Sequence, residues 1–472
     1  MSPTEIKKNT TVAGTLARDK ALESFSRHAE CLAAGRRLRD SVPRTSHARW
    51  SERSHHRDPI DLLKLSNRDR VSDLVPIRYG RMLRSPLTFL RGAAALMASD
   101  LAHTPMTGPR VQACGDCHLL NFGLFATPER NLIFDINDFD ETLPAPWEWD
   151  LKRLAVSFAV ASRDNGHSER QAESAAVGCV QAYRTHLRGY SKQSPLQVWY
   201  ARLDEHTFIE AAPDLEARRT RRAIARKARR HVGEYLFPRI ATQGMNQFRL
   251  VDQPPLIFHP AERDWDKRIR AALDSYRTSL PDERRVLFER YKLQDVAFKV
   301  VGIGSVGTRC YVALFCSADR QPLLLQFKEA RASVLERYAG KSRYDNHGQR
   351  VVIGQRLMQS ASDIFLGWAR GVRGVDVFGR QLRDMKMSAP IAAISPRQLC
   401  NYAGLCGWTL ARAHAKSGNA ALISGYLGTG HTFDRAMGKF ALAYADQNER
   451  DYAALVAAVK KGRIQALVDE PQ

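Results

Sequence analysis

From Asp61 onward, apolar residues recur with two different periods. Between Pro86 and Leu101 they fall at Leu87, Leu90, Ala94 and Met97, one side of a helix. Pro86 and the turn chemistry after Leu101 mark its ends. Trp147 to Ala155 opens another helix, with Asp150 placed as its N-cap, and the pattern stays mostly helical to about residue 290. The period then changes. Val296 to Val301 is a β-type run ending in the loop Gly302 to Gly307, Arg309 to Cys316 alternates, and a turn at Ser317 to Pro322 leads into Leu323 to Lys328. This predicts strand, glycine loop, strand, turn, strand. Residues 350–361 read as a helix, and a strand-like pair follows, ending near Val377 to Met387. Pro396 to Ala415 is a strong helix, and Thr432 to Lys460 gives one or two more. No internal repeat is visible.

These patterns divide the chain into five segments. Residues 1–58 are polar and basic and read as a partly disordered arm. Residues 59–160 carry the central motif, 161–290 are helical, 291–390 form a β-rich lobe, and 391–472 are helical again. The fold class is α+β.

Charge changes the picture of partners. Lys and Arg total 72 against 50 acids, a formal +22 over 472 residues, which favours anionic partners. Glu216 to His231 carries eight Lys or Arg between Arg218 and Arg230. The bland reading is a solvated or internally paired helix face. A nucleic-acid surface is the less favoured alternative, because no aromatics interleave with the charges. No apolar run approaches the roughly 20 residues of a membrane helix, and Met1 to Lys8 lacks a secretory apolar core. The eight cysteines are sparse for a disulfide framework and fit a reducing cytoplasm.

The candidate chemistry lies in Cys114-Gly-Asp-Cys-His-Leu-Leu-Asn-Phe-Gly123 and the following Ile133 to Glu141. One reading is a phosphoryl-transfer loop. Asp116 orients an acceptor hydroxyl, Asn121 turns back toward a metal, and Asp138, past a strand, supplies a second oxygen ligand. Asp135 rivals Asp138, since both lie at a strand end. The other reading, Cys114-x-x-Cys117-His118, is the attachment pattern of c-type haem; it is disfavoured because no export signal accompanies it. A zinc site from Cys114 and Cys117 lacks a second paired-cysteine knuckle. The glycine loop sharpens the choice. A dinucleotide site requires a helix straight after it, whereas here a strand follows. A glycine loop between antiparallel strands is a kinase-type phosphate cover, with Lys328 on the next strand to meet nucleotide phosphates. Alternation puts Lys328 on one face with Gln326 and Leu324. His414, within the helix Leu410 to Ala415, reads as a packing or capping residue.

Two resemblances follow from these stretches. Ile77 to Met82, Cys114 to Gly123, Phe134 to Glu141, Val301 to Arg309, Phe327 to Ala330 and Arg380 to Lys386 resemble an uncharacterised bacterial family known only as a domain of unknown function (the 2252 family). More remotely, Gly115-Asp-x-His-x-x-Asn121 is similar to the catalytic loop of protein kinases and aminoglycoside phosphotransferases. Asn137-Asp-Phe-Asp140 is similar to their metal-binding turn. This second resemblance implies a two-lobed kinase-like fold using ATP and Mg²⁺. Asp116 would be catalytic with His118 beside it, and Asn121 and Asp138, or Asp135, would hold the metal. Gly302, Gly304, Ser305 and Gly307 would cover the phosphates, and Lys328 would neutralise them with Glu336 as its partner. The order is inverted, with the glycine loop after the catalytic loop, which implies circular permutation with a helical insertion. Arg309 and Gln326 replace small apolar residues around the base. Either Pro86–Leu101 or Leu410–Ala415 leads into the catalytic loop. The expected function is transfer to a hydroxyl acceptor. The alternatives are AMP transfer in the same cleft and a non-catalytic nucleotide- or nucleic-acid-binding protein.

Overall fold

A helical body carries the Asp116 stretch and a sheet lobe carries the glycine loop. The computed structural model describes residues 28–50, 57–230, 237–238, 240–243, 248–260, 265–300, 302–382 and 385–467. Much of the polar arm lies outside the described residues. Its described part is not a solvated tail: helix His28–Ser41 packs on helix Ala420–Leu427. Arg39 and Arg44 donate to the carbonyls of Tyr426 and Leu427, both at 2.9 Å, so the arm's cations satisfy a helix C-terminus.

The expected helix at Pro86 to Leu101 is three short pieces with the segment before it: α1 (Val75–Met82), α2 (Pro86–Gly92) and α3 (Ala94–Leu101). Ser85 and Thr88 form a capping box on α2, and Ala93, at φ −107° and ψ 28°, breaks the run. Two hairpins follow. β1 (Arg110–Ala113) and β4 (Leu143–Pro146) pair antiparallel and enclose β2 (Phe122–Ala126) and β3 (Leu132–Ile136), which pair with each other. The Cys114–Asn121 loop therefore leaves one strand pair and enters another, and residues 137–142 return along the same route. Helix α4 (Trp147–Asp164) is buried from Trp147 to Ser162, because α5 (Glu169–Tyr190) and two C-terminal helices surround it.

The expected basic helix is α6 (Leu215–Arg229). Arg221 is buried and donates to the Phe208 carbonyl at 2.7 Å, and Arg218 pairs with Glu210 at 3.0 Å. After α7 (Trp265–Ser279) come β5 (Lys292–Lys299), β6 (Cys310–Cys316) and β7 (Pro322–Glu329), then α8 (His347–Met358), β8 (Gly367–Arg370) and β9 (Asp376–Gln381). The sheet order is β8-β9-β7-β6-β5, extended by Ile257–Phe258, and every pairing is antiparallel. Phe327 packs on one face against Tyr276 of α7, which also meets Phe288. Lys328 pairs across from Cys310 and Gln326 from Val312, so these alternate residues share the other face. That face looks toward the helical body.

Strand β10 (Met387–Ser388) adds to the edge of β2. Helix α9 (Pro396–Ser417) runs back along the body and ends at β1, where the Gln112 amide donates to Ser417 Oγ at 3.0 Å. Thr432 to Lys460 is a single 29-residue helix, α10. Among the described residues, no helix is long and apolar enough to cross a membrane.

Candidate functional site

The Cys114–Asn121 loop is held from behind. Asp150 is not the N-cap of α4; Pro146 is, and Asp150 lies one turn in. Its two carboxylate oxygens accept from the amides of Cys114 at 2.7 Å and Gly115 at 3.0 Å. Gly115 has φ +85°, and a Cβ there would stand 2.3 Å from the Glu141 carbonyl oxygen, so only glycine fits. His414 is fully buried between Asp150, at 3.3 Å, and the Tyr183 hydroxyl, at 2.9 Å, which makes it a packing residue. Cys114 and Cys117 are buried free thiols. Burial pushes the Cys117 thiol up to about 12. Their sulfurs lie near Asp150, whose oxygens the two amides already use.

Asp116 opens onto a cavity of about 130 Å³ that Asp138, Asp140 and Ser305 also line. Its Oδ1 accepts from Arg153 Nε at 2.6 Å, and Arg153, 2% exposed, also donates to the Leu90 carbonyl at 2.9 Å. The carboxylate is thus oriented by a buried guanidinium. Asn121 Nδ2 donates to the Asp116 carbonyl at 2.7 Å, which leaves its Oδ1, the atom a metal would use, outside that bond. His118 is 3% exposed, with Nε2 at 3.9 Å from Asp116. Burial, together with Arg91 and Arg153, outweighs Asp116 and pushes it down to about 4, so it is a neutral imidazole.

The lysine and the metal-type turn meet across 188 residues of sequence: Lys328 Nζ donates to Asp140 Oδ2 at 2.5 Å and stands 3.9 Å from Asp138 Oδ1. The two carboxylates share one ammonium, so they titrate together. Burial opposes the charge on Asp138, but Lys328, Arg380 and Lys386 hold it down to about 2. Burial and the neighbouring Asp138 push Asp140 up. Asp140 Oδ1 is buried without a hydrogen-bond donor. Asp138 and Asp140 thus present to the cavity carboxylate oxygens of the hard kind that Mg²⁺ takes, whereas Asn121 is not among the residues lining it.

The glycine loop closes the cavity from above. Ser305 Oγ donates to Asp140 Oδ2 at 3.2 Å. Arg70 donates to the carbonyls of Val306, at 2.5 Å, and Gly304, at 2.9 Å, and the Val71 amide donates to Gly307 at 2.8 Å. Gly307 has φ +85°, a conformation that L side chains rarely adopt. Gly302 lies in the same loop. Among the described residues, Arg70, Arg78, Arg91, Asp116 and Asp140 were not legible as a group. Arg70, Arg78 and Arg91 lie on turns and short helices before the motif, and nothing in their spacing marks them.

Three sequence expectations move. Asp135 is fully enclosed by Arg412 Nη2 at 2.6 Å and by the amide and hydroxyl of Ser360 at 2.9 and 2.8 Å. It is a buried anchor, away from the cavity. Glu336 sits beside His347, at 3.8 Å, and Arg350, at 4.0 Å, and receives the Ser333 amide; Lys328 takes Asp140 and Asp138 instead. Arg309 pairs with Glu329 at 3.1 Å, one residue out of register with the face that carries Cys310 and Lys328. Gln326 does face a cavity, of about 170 Å³, with Asn137, Gln355, Arg380 and Lys386. Burial and then Arg380 push the Lys386 ammonium down to about 7.

No curated protein and no solved structure matches the chain. Residues 70–458, which include every site residue discussed above, match one family, and the chain belongs to it: the bacterial family described as an uncharacterized protein conserved in bacteria (DUF2252).

Proposed function

We propose that the protein is an ATP- and Mg²⁺-dependent phosphotransferase with a circularly permuted kinase-like architecture, acting on a hydroxyl acceptor. The observation that carries this reading is the meeting of Lys328 with Asp138 and Asp140 beneath Ser305 of the glycine loop, on a cavity that Asp116 shares. Phosphoryl transfer requires positioned oxygens for a metal, a cation on the phosphates and a carboxylate for the acceptor. The lobe supports the reading too. Its antiparallel sheet of six strands has a glycine loop between β5 and β6, the lysine on β7 and helix α8 further on, the parts of a kinase nucleotide lobe. Helix α9 ends where β1 begins, so the helix leading spatially into the catalytic loop comes from the far end of the chain. That is the junction a permutation requires.

In this reading Asp116 accepts a hydrogen bond from the acceptor hydroxyl and aims its oxygen. Arg153 keeps the carboxylate in place, Asp138 and Asp140, with Asn121, would hold Mg²⁺, and Lys328 would turn from Asp140 to phosphate oxygens. Bound Mg²⁺ would neutralise the phosphates. Calorimetry with Mg·ATP, coupled to turnover, tests the assignment. Asp116→Asn keeps binding and loses transfer, Asp138→Ala loses Mg²⁺-dependent binding, and Lys328→Ala weakens both. Three variants indistinguishable from wild type would sink the reading.

One observation favours a second outcome. Gln326, Arg380 and Lys386 line the end of the cleft where a base would sit. A cationic floor there suits phosphates, as in a nucleotide bound in the reverse direction and transferring AMP. The mass added to the acceptor, phosphoryl or adenylyl, separates the two.

A further inference from the structure

Among the described residues, three of the four arginines that line the cavity beside Asp116 make no ion pair; the fourth, Arg331, pairs with Asp69. Asp116 is paired with Arg153, Asp138 and Asp140 with Lys328, and Glu329 with Arg309, while Glu141 accepts from the Val334 amide. Arg70, Arg78 and Arg91 line the same cavity, and among the described residues none stands within ion-pair distance of a carboxylate. Arg70 directs its donors at the carbonyls of Ser66, Gly304 and Val306. Arg78, 2% exposed, donates to the Asn67 side-chain oxygen at 2.7 Å and the Gly92 carbonyl at 2.6 Å, and its Nε is buried without an acceptor. Arg91 Nε is likewise buried without an acceptor. Neutral oxygens satisfy hydrogen-bonding geometry but supply no counter-ion; Asp116, Asp138, Glu141 and Glu329 act on these guanidiniums only from beyond ion-pair distance, and a buried charge without a close counter-ion is unfavourable. The groups that best match several guanidinium donors at once are oxyanions, phosphate above all.

We propose that Arg91, with Arg78 and Arg70 behind it, forms a binding site for a phosphate-type oxyanion beside Asp116. Burial pushes Arg78 down to about 10, a shift that a bound anion would reverse. Two sources present this chemistry: a phosphate carried by the acceptor, or the terminal phosphate of the nucleotide. Its place in a transfer reaction rests on the phosphotransferase reading, whereas the anion site itself does not.

The test is isothermal titration of the full chain with inorganic phosphate at low ionic strength, with and without Mg·ADP. The expected result is saturable binding that weakens at least about ten-fold in Arg91→Gln, the loss of one charge-assisted contact, and that is unchanged in Arg226→Ala. Arg226 lies on the exposed part of α6, so it reports attraction to the basic surface at large. Arg78→Lys is the second variant; it keeps the charge but loses Nε, and weaker binding is expected. Phosphate that still binds under saturating Mg·ADP and competes with Mg·ATP belongs to the terminal-phosphate position. Phosphate that binds in the presence of either nucleotide belongs to the acceptor. No saturable binding, or equal losses in Arg91→Gln and Arg226→Ala, overturns the proposal. Phosphate binding without any Mg·ATP binding keeps this site and removes the transferase reading.

Discussion

The helical body and the cleft both bury charged groups, but they satisfy them differently. In the body, Arg57 spans Asp100 and Asp451, which also accept from Tyr444 and Gln447. Arg184 meets Asp434 with two nitrogens, and Asp135 uses both oxygens on Arg412 and Ser360. The body is not free of unpartnered atoms, since Arg412 Nη1 and Glu148 Oε2 are buried without a partner, but its carboxylates Asp100, Asp135, Asp434 and Asp451 all meet a guanidinium; in the cleft, Asp140 Oδ1, Asn137 Nδ2, His118 Nδ1, Arg78 Nε and Arg91 Nε are buried without a partner. A buried ion pair whose valences are filled is structure. A buried set with valences left over has capacity for a ligand, and its residues tolerate that only because the surrounding fold holds them.

Substitutions at Asp135 and Asp138, three positions apart, test that contrast. Asp135→Ala strands the buried Arg412 and should cost about 3–5 kcal/mol in denaturant unfolding. Asp138→Ala leaves Lys328 paired with Asp140 and should cost under about 1 kcal/mol while removing Mg²⁺-dependent nucleotide binding. Equal costs at the two positions would erase the distinction between body and cleft.

His118 lies on the border, enclosed yet beside Asp116. Its folded pKa of about 4 lies below the unfolded value near 6.5. Its contribution to stability is therefore fully present above pH ~6.5 and is lost as pH falls toward 4. The window is worth about 3 kcal/mol at most. His47 and His186 are shifted the same way, so the measurement is the difference in unfolding free energy between pH 7 and 4.5 for wild type and for His118→Gln. A variant with undiminished pH dependence would place His118 in solvent.

The smallest expected effect concerns Lys386. Its amine, with a pKa lowered to about 7 by burial and Arg380, gains a proton as pH falls from 8 to 6. If phosphates lie at that end of the cleft, nucleotide affinity should rise a few-fold over this range, and Lys386→Gln should flatten the profile. A flat wild-type profile would favour the forward nucleotide orientation.

Local periodicity made the elements legible, and long-range pairing did not. The strand, glycine loop and strand run was readable because alternation and the glycines sit in one contiguous stretch, and β5 to β7 form there. Asp150 was noticed but misplaced: a carboxylate near a helix start reads as a cap, and only the fold shows that it reaches the amides of Cys114 and Gly115 instead. Asp135 and Asp138 were indistinguishable in sequence because both end a strand. Arg412 and Ser360, which separate them, lie more than two hundred residues away. The spacing of Glu336 from Lys328 points to a partner, whereas the partner is Asp140 in the turn after β3. No rule of spacing joins a residue to a partner 188 positions earlier.

Arg350 also joins the two parts of the molecule. From α8 its guanidinium donates to the carbonyls of Asp140, Thr142 and Arg331, at 2.8, 2.6 and 2.7 Å. The turn carrying Asp138 and Asp140 is thereby fastened to the sheet lobe, although its chain belongs to the helical body. The same turn is tied to the Asp116 loop, because Thr142 Oγ1 donates to the Ala113 carbonyl at 2.6 Å and the Asn137 amide donates to the Asn121 carbonyl at 2.9 Å. Loss of one side chain, Arg350, would therefore loosen the turn from the lobe while leaving it fixed to the body, with Lys328 among the links that remain between the two at this point.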